Sequence, residues 1–168
     1  LLDMEVYAQW PCTFIPIPVD LERYPWRQRT HALKFVHNAG HGQHDFAKGT
    51  PQLVAAMGLV KSPVKLLVRG QPGELRIKQL FQREKGNPRL ELVYDDVPDE
   101  ELYKDGDVFI NAEQYNGMSL PLQEAFASGM LVMTTNRFPA NTWLPNEPLI
   151  PPCGSRRYKI AIEFDRAV

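Results

Sequence analysis

The sequence has little cysteine, no long apolar run and no excess of positive charge, and each shortage removes a class of protein. Cys12 and Cys153 are the only cysteines. They show no CxxC spacing and have no nearby pair of histidines, which argues against a disulfide scaffold and a structural zinc. No apolar stretch approaches the roughly 18 residues needed to span a bilayer, and the N-terminus lacks the basic, apolar and small-residue succession of a secretory leader. A cytoplasmic location is the expectation. The formal net charge is -1, with Lys and Arg scattered among Asp and Glu. No basic field exists to hold a polyphosphate backbone, so nucleic acid is not an expected partner. His31, His37, His41 and His44 cluster, but without HExxH spacing or a carboxylate in helical register, and no metal is expected.

What is present is enough apolar material for one core: 43% of 168 residues. The chain opens on an apolar, Pro-rich stretch from Leu1 to Pro25 that reads as connector or edge strand. With no initiating methionine and a pattern that thins beyond Pro151, it reads as a piece of a longer protein. The expected division is a connector over residues 1–30 and one domain over 31–168. In that domain apolar runs alternate with helical patterns. Strands are expected at Leu33 to Val36, Val64 to Val68, Leu90 to Tyr94, Val108 to Asn111 and Leu131 to Thr134. Helices are expected at Thr50 to Leu59, Glu74 to Arg83, Asp99 to Tyr103 and Leu120 to Ala127. This is the rhythm of a parallel sheet with crossover helices, an α/β Rossmann-like fold. Thr50-Pro51 and Ser119-Leu120-Pro121 offer helix starts, and Gly129 a helix stop. Ile160 to Phe164 reads as a last strand before Asp165, a candidate cap for a helix beyond the chain. Trp10, Trp26 and Trp143 read as packing anchors.

Ligands of open parallel sheets collect at the carboxyl ends of the strands, so the turns after strands are where chemistry is sought. The first, His37-Asn38-Ala39-Gly40-His41-Gly42, supplies two glycines that let a ligand approach the backbone. It is no dinucleotide fingerprint, because Asp45 stands where a third glycine is needed. Lys48 then precedes a helix N-terminus, where an ammonium group and unpaired amides together would clamp phosphate; a solvated loop lysine is the alternative. The second turn, Asn116-Gly117-Met118-Ser119, has amides that can point at an anion. Glu124 follows in the next helix, where it either accepts hydrogen bonds from vicinal ribose hydroxyls or simply complements the helix N-terminus. The third, Val93 to Glu101, could pair its backbone with a base edge, while Asp95, Asp96, Asp99, Glu100 and Glu101 read as a solvated, helix-capping face. Pro139-Ala140-Asn141-Thr142 reads as a surface loop or as a flap over a sugar.

The stretch ELYKDGDVFINAEQYNGMSLPLQEAFASGMLVMTT, the weaker FVHNAGHGQHDFAKGT and the entry segment PIPVDLERY resemble the C-terminal, nucleotide-sugar-binding domain of GT-B glycosyltransferases. The resemblance is to the retaining family 4 enzymes (glycosyl transferases group 1) and spans about Pro16 to Pro151. It implies one half of a GT-B fold, with helices on both faces of the sheet and the N-terminal acceptor domain absent. It further implies that Glu124 holds the donor ribose, that Lys48 contacts the diphosphate and that Val97 lies near the base. Gly40, His41 and Gly42 would border the phosphates, the amides of Gly117, Met118 and Ser119 would meet the sugar or phosphate, and Asn116 and Leu120 would complete the donor site. Two positions depart from the family. Asn116 stands where it has a glutamate, eight residues before Glu124, and His41 stands for a phosphate-binding arginine in a loop about two residues longer. Asparagine can bond a hydroxyl but cannot stabilise positive charge on the anomeric carbon, and a histidine clamp predicts affinity rising as pH falls.

The implied reaction is transfer of a hexosyl group from a nucleotide-diphosphate sugar, with retention, to a sugar, lipid or protein acceptor held by the missing half. Asn116 and Lys48 would be the catalytic contributors. No cofactor and no metal are expected, any membrane contact would come through the missing half, and the isolated piece is expected to be inactive. The rivals are a sugar-nucleotide epimerase half and a non-catalytic interaction domain that kept the fold.

Overall fold

The computed structural model describes residues 17–40, 48–73, 75–113, 118–137, 140–144, 149–150 and 156–168. Five strands, β1 (Lys34–Gly40), β2 (Lys65–Gly70), β3 (Leu90–Tyr94), β4 (Val108–Asn111) and β5 (Leu131–Thr134), form one sheet in the order β3-β2-β1-β4-β5. Every pairing is parallel. The crossovers carry α1 (Thr50–Ala56) between β1 and β2, α2 (Leu75–Arg83) between β2 and β3, and α3 (Leu120–Ala127) between β4 and β5. A single 3-10 turn at Asp99–Glu101 stands between β3 and β4, and α4 (Ala140–Trp143) and α5 (Arg156–Ala167) follow β5. This is the α/β architecture that the apolar rhythm implies, and among the described residues no helix is long and apolar enough to cross a membrane.

Because side chains alternate across a strand, each strand feeds two cores. Phe35, Leu66, Val68 and Ile110 face α1, α2 and α5, with Leu53, Met57, Ile77 and Phe164 packed against them. Val36, Leu67, Phe109 and Val132 face the other way, onto Leu122 and Ala125 of α3 together with Tyr24 and Tyr103. Helices therefore cover both faces, which explains why consecutive apolar residues, Phe35-Val36 in β1 and Leu66-Leu67-Val68 in β2, are buried rather than alternating with exposed ones.

Several local expectations give way. The segment expected as a last strand lies in α5. Ile160, Ala161 and Phe164 form its buried stripe, at helical spacing, while Ile162 is exposed. Phe164 meets Phe35 with ring centroids 4.4 Å apart. Asp165 caps no later helix, because its carboxylate instead accepts the Lys61 and Ser62 amides at 2.7 to 3.2 Å. The loop expected at Pro139–Thr142 includes the short helix α4. Thr50 is not an N-cap: Gly49 occupies that position with φ 74°, and the Thr50 hydroxyl is used elsewhere. Trp26 is 67% exposed and anchors no core. Trp143 packs edge-on against Phe126, and Trp10, Cys12 and Cys153 lie outside the described residues.

Residues 20–29 run along the α3 face. Asp20 caps its own turn through the Glu22 and Arg23 amides. The Arg29 guanidinium then reaches four carbonyls, those of Gly106 (2.6 Å), Tyr103 (2.7 Å), Arg27 (3.1 Å) and Ser128. A segment that is polar and Pro-punctuated is thus fixed by one planar fork of donors.

Candidate functional site

The sheet reverses direction at β1, since β2 and β3 extend it one way and β4 and β5 the other. Crossovers leaving neighbouring strands toward opposite faces open a crevice at the carboxyl ends of β1 and β4. Its floor is braced by His37, fully buried in β1. The Ile110 carbonyl, 2.9 Å from Nδ1, can only accept, so Nδ1 carries the proton and Nε2 accepts the Thr50 hydroxyl at 2.8 Å. One imidazole therefore ties β1 to β4 and to the start of α1. Burial pulls its pKa down to about 4, against the Ile110 hydrogen bond and with help from the charge of Lys48.

Lys48 folds back over the end of β1. A Cβ at Gly40, whose φ is 67°, would collide with its ammonium nitrogen, so the absent side chain is what lets the cation approach this strand end. Gly49, beside it, lies against the Ala112 carbonyl after β4, bringing the α1 start across to the second wall of the crevice. Ser119 opens α3 with φ 45°, an uncommon conformation for a residue with a Cβ. It makes no side-chain cap, and its buried Oγ finds no partner among the described residues. Backbone strain of this kind is retained where the surroundings impose it. Gln123 steadies the turn by donating to the Met118 carbonyl at 2.7 Å.

Above this floor lies a cavity of about 330 Å³. Gly40 and Asn38 of β1 border it, with Arg69, Gly70 and Gln71 from the end of β2, Asp95, Val97 and Asp99 after β3, and Leu120, Pro121 and Glu124 of α3. Tyr24, Leu102 and Tyr103 close the far wall. Four residues singled out in the sequence, Gly40, Val97, Leu120 and Glu124, therefore share one cavity although they come from the end of a strand, a loop and a helix. Lys48 stands behind Gly40, and Met118 and Ser119 stand at the entrance to α3. His41, Gly42, Asn116 and Gly117 lie outside the described residues.

Sequence reasoning passed over several polar groups here. The Tyr103 hydroxyl donates to Glu124 Oε2 at 2.7 Å. Burial and that bond hold its phenol far above the ordinary pKa, so it remains a donor. Tyr24 meets Tyr103 edge to face at 5.5 Å, and burial followed by the charge of Glu124 raises its pKa also. Arg69 stands next to the end of β2, with its guanidinium donating to the Leu102 and Glu101 carbonyls. Burial lowers its pKa, opposed by Asp105. The signal was legible, since a charged residue closes the otherwise apolar run Leu66 to Val68. Asn38 Oδ1 is buried with no partner among the described residues. Glu113, two residues beyond β4, is buried, accepts from Asn111 Nδ2 at 3.0 Å and lies 3.8 Å from Arg137. The acidic stretch is a solvated face, with Asp95, Asp96, Asp99 and Glu100 exposed and Asp99 paired to Arg23, but it caps no helix: Pro98 holds the N-cap of the 3-10 turn with no side-chain cap, and Asp95 and Asp99 border the cavity.

The family described as "Glycosyl transferases group 1" matches residues 37–143, well over half of the chain. Among solved structures, the chain is similar to alpha,alpha-trehalose 6-phosphate synthase from Burkholderia multivorans, at 17% identity and a TM-score of 0.64 over 81% of this chain and 35% of that one. It is similar also to Anabaena HepE in complex with UDP and glucose, at 16% identity and 0.63 over 80% and 38%. A third is sucrose-phosphate synthase from Thermosynechococcus elongatus, at 25% identity and 0.59 over 80% and 38%. The chain thus spans little more than a third of the length of these proteins, and its fold is that of one Rossmann-like half of GT-B glycosyltransferases. No curated protein is a significant match.

Proposed function

From the premise that this chain belongs to the glycosyl transferases group 1 family, we propose that it is the donor-binding half of a glycosyltransferase. In this reading it holds a nucleoside-diphosphate sugar in the cavity at the carboxyl ends of β1, β2 and β3. The observation that carries the reading is the convergence of Gly40, Val97, Leu120 and Glu124 on that one cavity at the sheet's reversal point. Glu124 receives the ribose hydroxyls, and the base lies toward Val97. The diphosphate lies over Gly40, where the Lys48 ammonium and the start of α3 oppose its charge. The binding of UDP and glucose by HepE, a protein of the same fold, supports a nucleotide donor. In the whole protein an acceptor hydroxyl oxygen bonds to the anomeric carbon, the bond from that carbon to the diphosphate breaks, the hydroxyl proton passes to the departing diphosphate, and the nucleoside diphosphate leaves with its remaining charge held by Lys48 and amide dipoles. Retention of anomeric configuration and a hexosyl group follow from the family resemblance, with Asn116 meeting the transferred sugar. The acceptor belongs to a second domain, and the chain alone closes over no reaction centre.

Calorimetric titration of the chain with UDP, GDP and ADP tests this. One diphosphate is expected to bind, and Glu124→Ala to weaken it on the order of tenfold to a hundredfold, the worth of a charge-assisted hydrogen bond of about 1.5 to 3 kcal/mol. Absence of binding by all three, or binding indifferent to Glu124→Ala, would sink the reading.

A further inference from the structure

Glu124 is a long, rotatable side chain on the solvent edge of a two-turn helix, and a carboxylate that reads a pair of hydroxyls must offer its oxygens in a fixed direction. Left to itself it would lose rotamer freedom on binding, at a cost of about 1.5 to 2 kcal/mol. The structure supplies a holder. The Tyr103 hydroxyl reaches Oε2 at 2.7 Å, and Tyr103 itself cannot wander. Its ring is 3% exposed and is packed edge-on between Tyr24 (5.5 Å, 74°) and Phe109 (5.6 Å, 71°). Its carbonyl is gripped by Arg29 at 2.7 Å. A side chain with only two torsions, fixed on three sides, is a rigid mount for a donor. Tyr103 is among the residues that border the cavity.

We propose that Tyr103 is the positioning residue for the ribose-reading carboxylate: its hydroxyl fixes the orientation of Glu124, and through it the site selects ribonucleoside over 2'-deoxyribonucleoside diphosphates. The inference rests on the donor-site reading above and adds a specificity determinant to it. Tyr103 touches no ligand in this scheme; it acts by sparing Glu124 the cost of being ordered. A purely structural tyrosine would instead support every ligand of the cavity alike.

The test is a binding comparison on this chain, wild type against Tyr103→Phe, using UDP, GDP and ADP and their 2'-deoxy counterparts. Circular dichroism melting verifies that the variant is folded. The wild type is expected to prefer the ribonucleotide on the order of tenfold, the worth of one charge-assisted hydrogen bond. Tyr103→Phe is expected to cut that preference to about threefold or less while leaving affinity for the 2'-deoxy form within about twofold. Should the phenylalanine variant melt early, 4-aminophenylalanine at position 103, which restores a donor at the ring's end, should recover the preference. An equal loss for both sugars or an unchanged preference overturns the positioning role and leaves the donor reading intact, whereas nucleotide binding with no preference in the wild type overturns the positioning role together with the ribose role of Glu124. A wild type that binds none of the six nucleotides overturns both.

Discussion

In the unfolded chain His37 takes up a proton near pH 6.5, but in the folded protein burial delays that step until about pH 4. The unfolded state therefore binds more protons throughout this interval, and stability must fall with pH across it. The sign follows from the direction of the shift. A base whose folded pKa is depressed contributes its full share above the unfolded value, loses it progressively as pH drops toward the folded value, and changes nothing further below. Two and a half pH units at about 1.4 kcal/mol each amount to about 3 kcal/mol, lost at about 1 kcal/mol per unit where the slope is steepest. That is a large fraction of the stability of an ordinary domain. The comparison is urea unfolding of the wild type and His37→Gln at pH 7.5, 6.5, 5.5 and 4.5. Every other titrating group is common to both proteins and cancels in the difference. At pH 7.5 the variant should be less stable by about 1 to 3 kcal/mol, because the Ile110 carbonyl and Thr50 hydroxyl lose a well-placed partner. The gap should then close by about 2 to 3 kcal/mol by pH 4.5. A gap constant with pH, or a His37 ring resonance titrating near 6.5 in the folded protein, would refute the reasoning.

Two further substitutions probe how the crevice is built. Gly49→Ala should destabilise the fold by about 2 to 4 kcal/mol, measured as a shifted urea midpoint. A left-handed alanine costs about 1 to 2 kcal/mol, and its Cβ would overlap the Ala112 carbonyl oxygen, which is backbone and cannot step aside. Arg29→Ala should cost on the order of 3 kcal/mol in the same assay by leaving partly buried carbonyls without their donor. Arg29→Lys should recover less than half of that, since one ammonium cannot span acceptors set for a planar fork.

Where the sequence alternated short apolar runs with turn residues, it was readable to the residue. β3, β4, α3 and β5 begin and end where the pattern said: β4 is buried throughout, and β3 is set off by the charges of Arg89 and Asp95 on either side. Ile160 to Phe164 misled for a physical reason. Apolar residues at 160, 162 and 164 mimic the period of a strand, and only packing against Phe35 decides that 160, 161 and 164 are the face that counts. The site divided in the same way. Gly40 and Glu124 could be placed because the turns after parallel strands are where ligands collect, and Val97 and Leu120 only through the family resemblance. Tyr24 and Tyr103 could not, because nothing local shows that residues 79 positions apart meet across the sheet's face. Thr50 looked like a helix cap and serves instead as the partner of a buried imidazole, a choice made by a strand that is distant in sequence.

The order in which the chain lays down its sheet has a consequence for synthesis. Among the described strands of this sheet the central one comes first in the chain, and its neighbour across the crevice comes only after two further strands and two helices; the Ile110 carbonyl is 73 residues from His37. A nascent chain that has emerged through β3 holds an edge of β1 with unpaired amides and carbonyls, and a polar imidazole with no acceptor. That exposed strand edge is a template for pairing with another chain, and closing so long a loop is slow compared with forming helices. On the ribosome this half should therefore be most prone to aggregation in the interval between the emergence of β3 and that of β4.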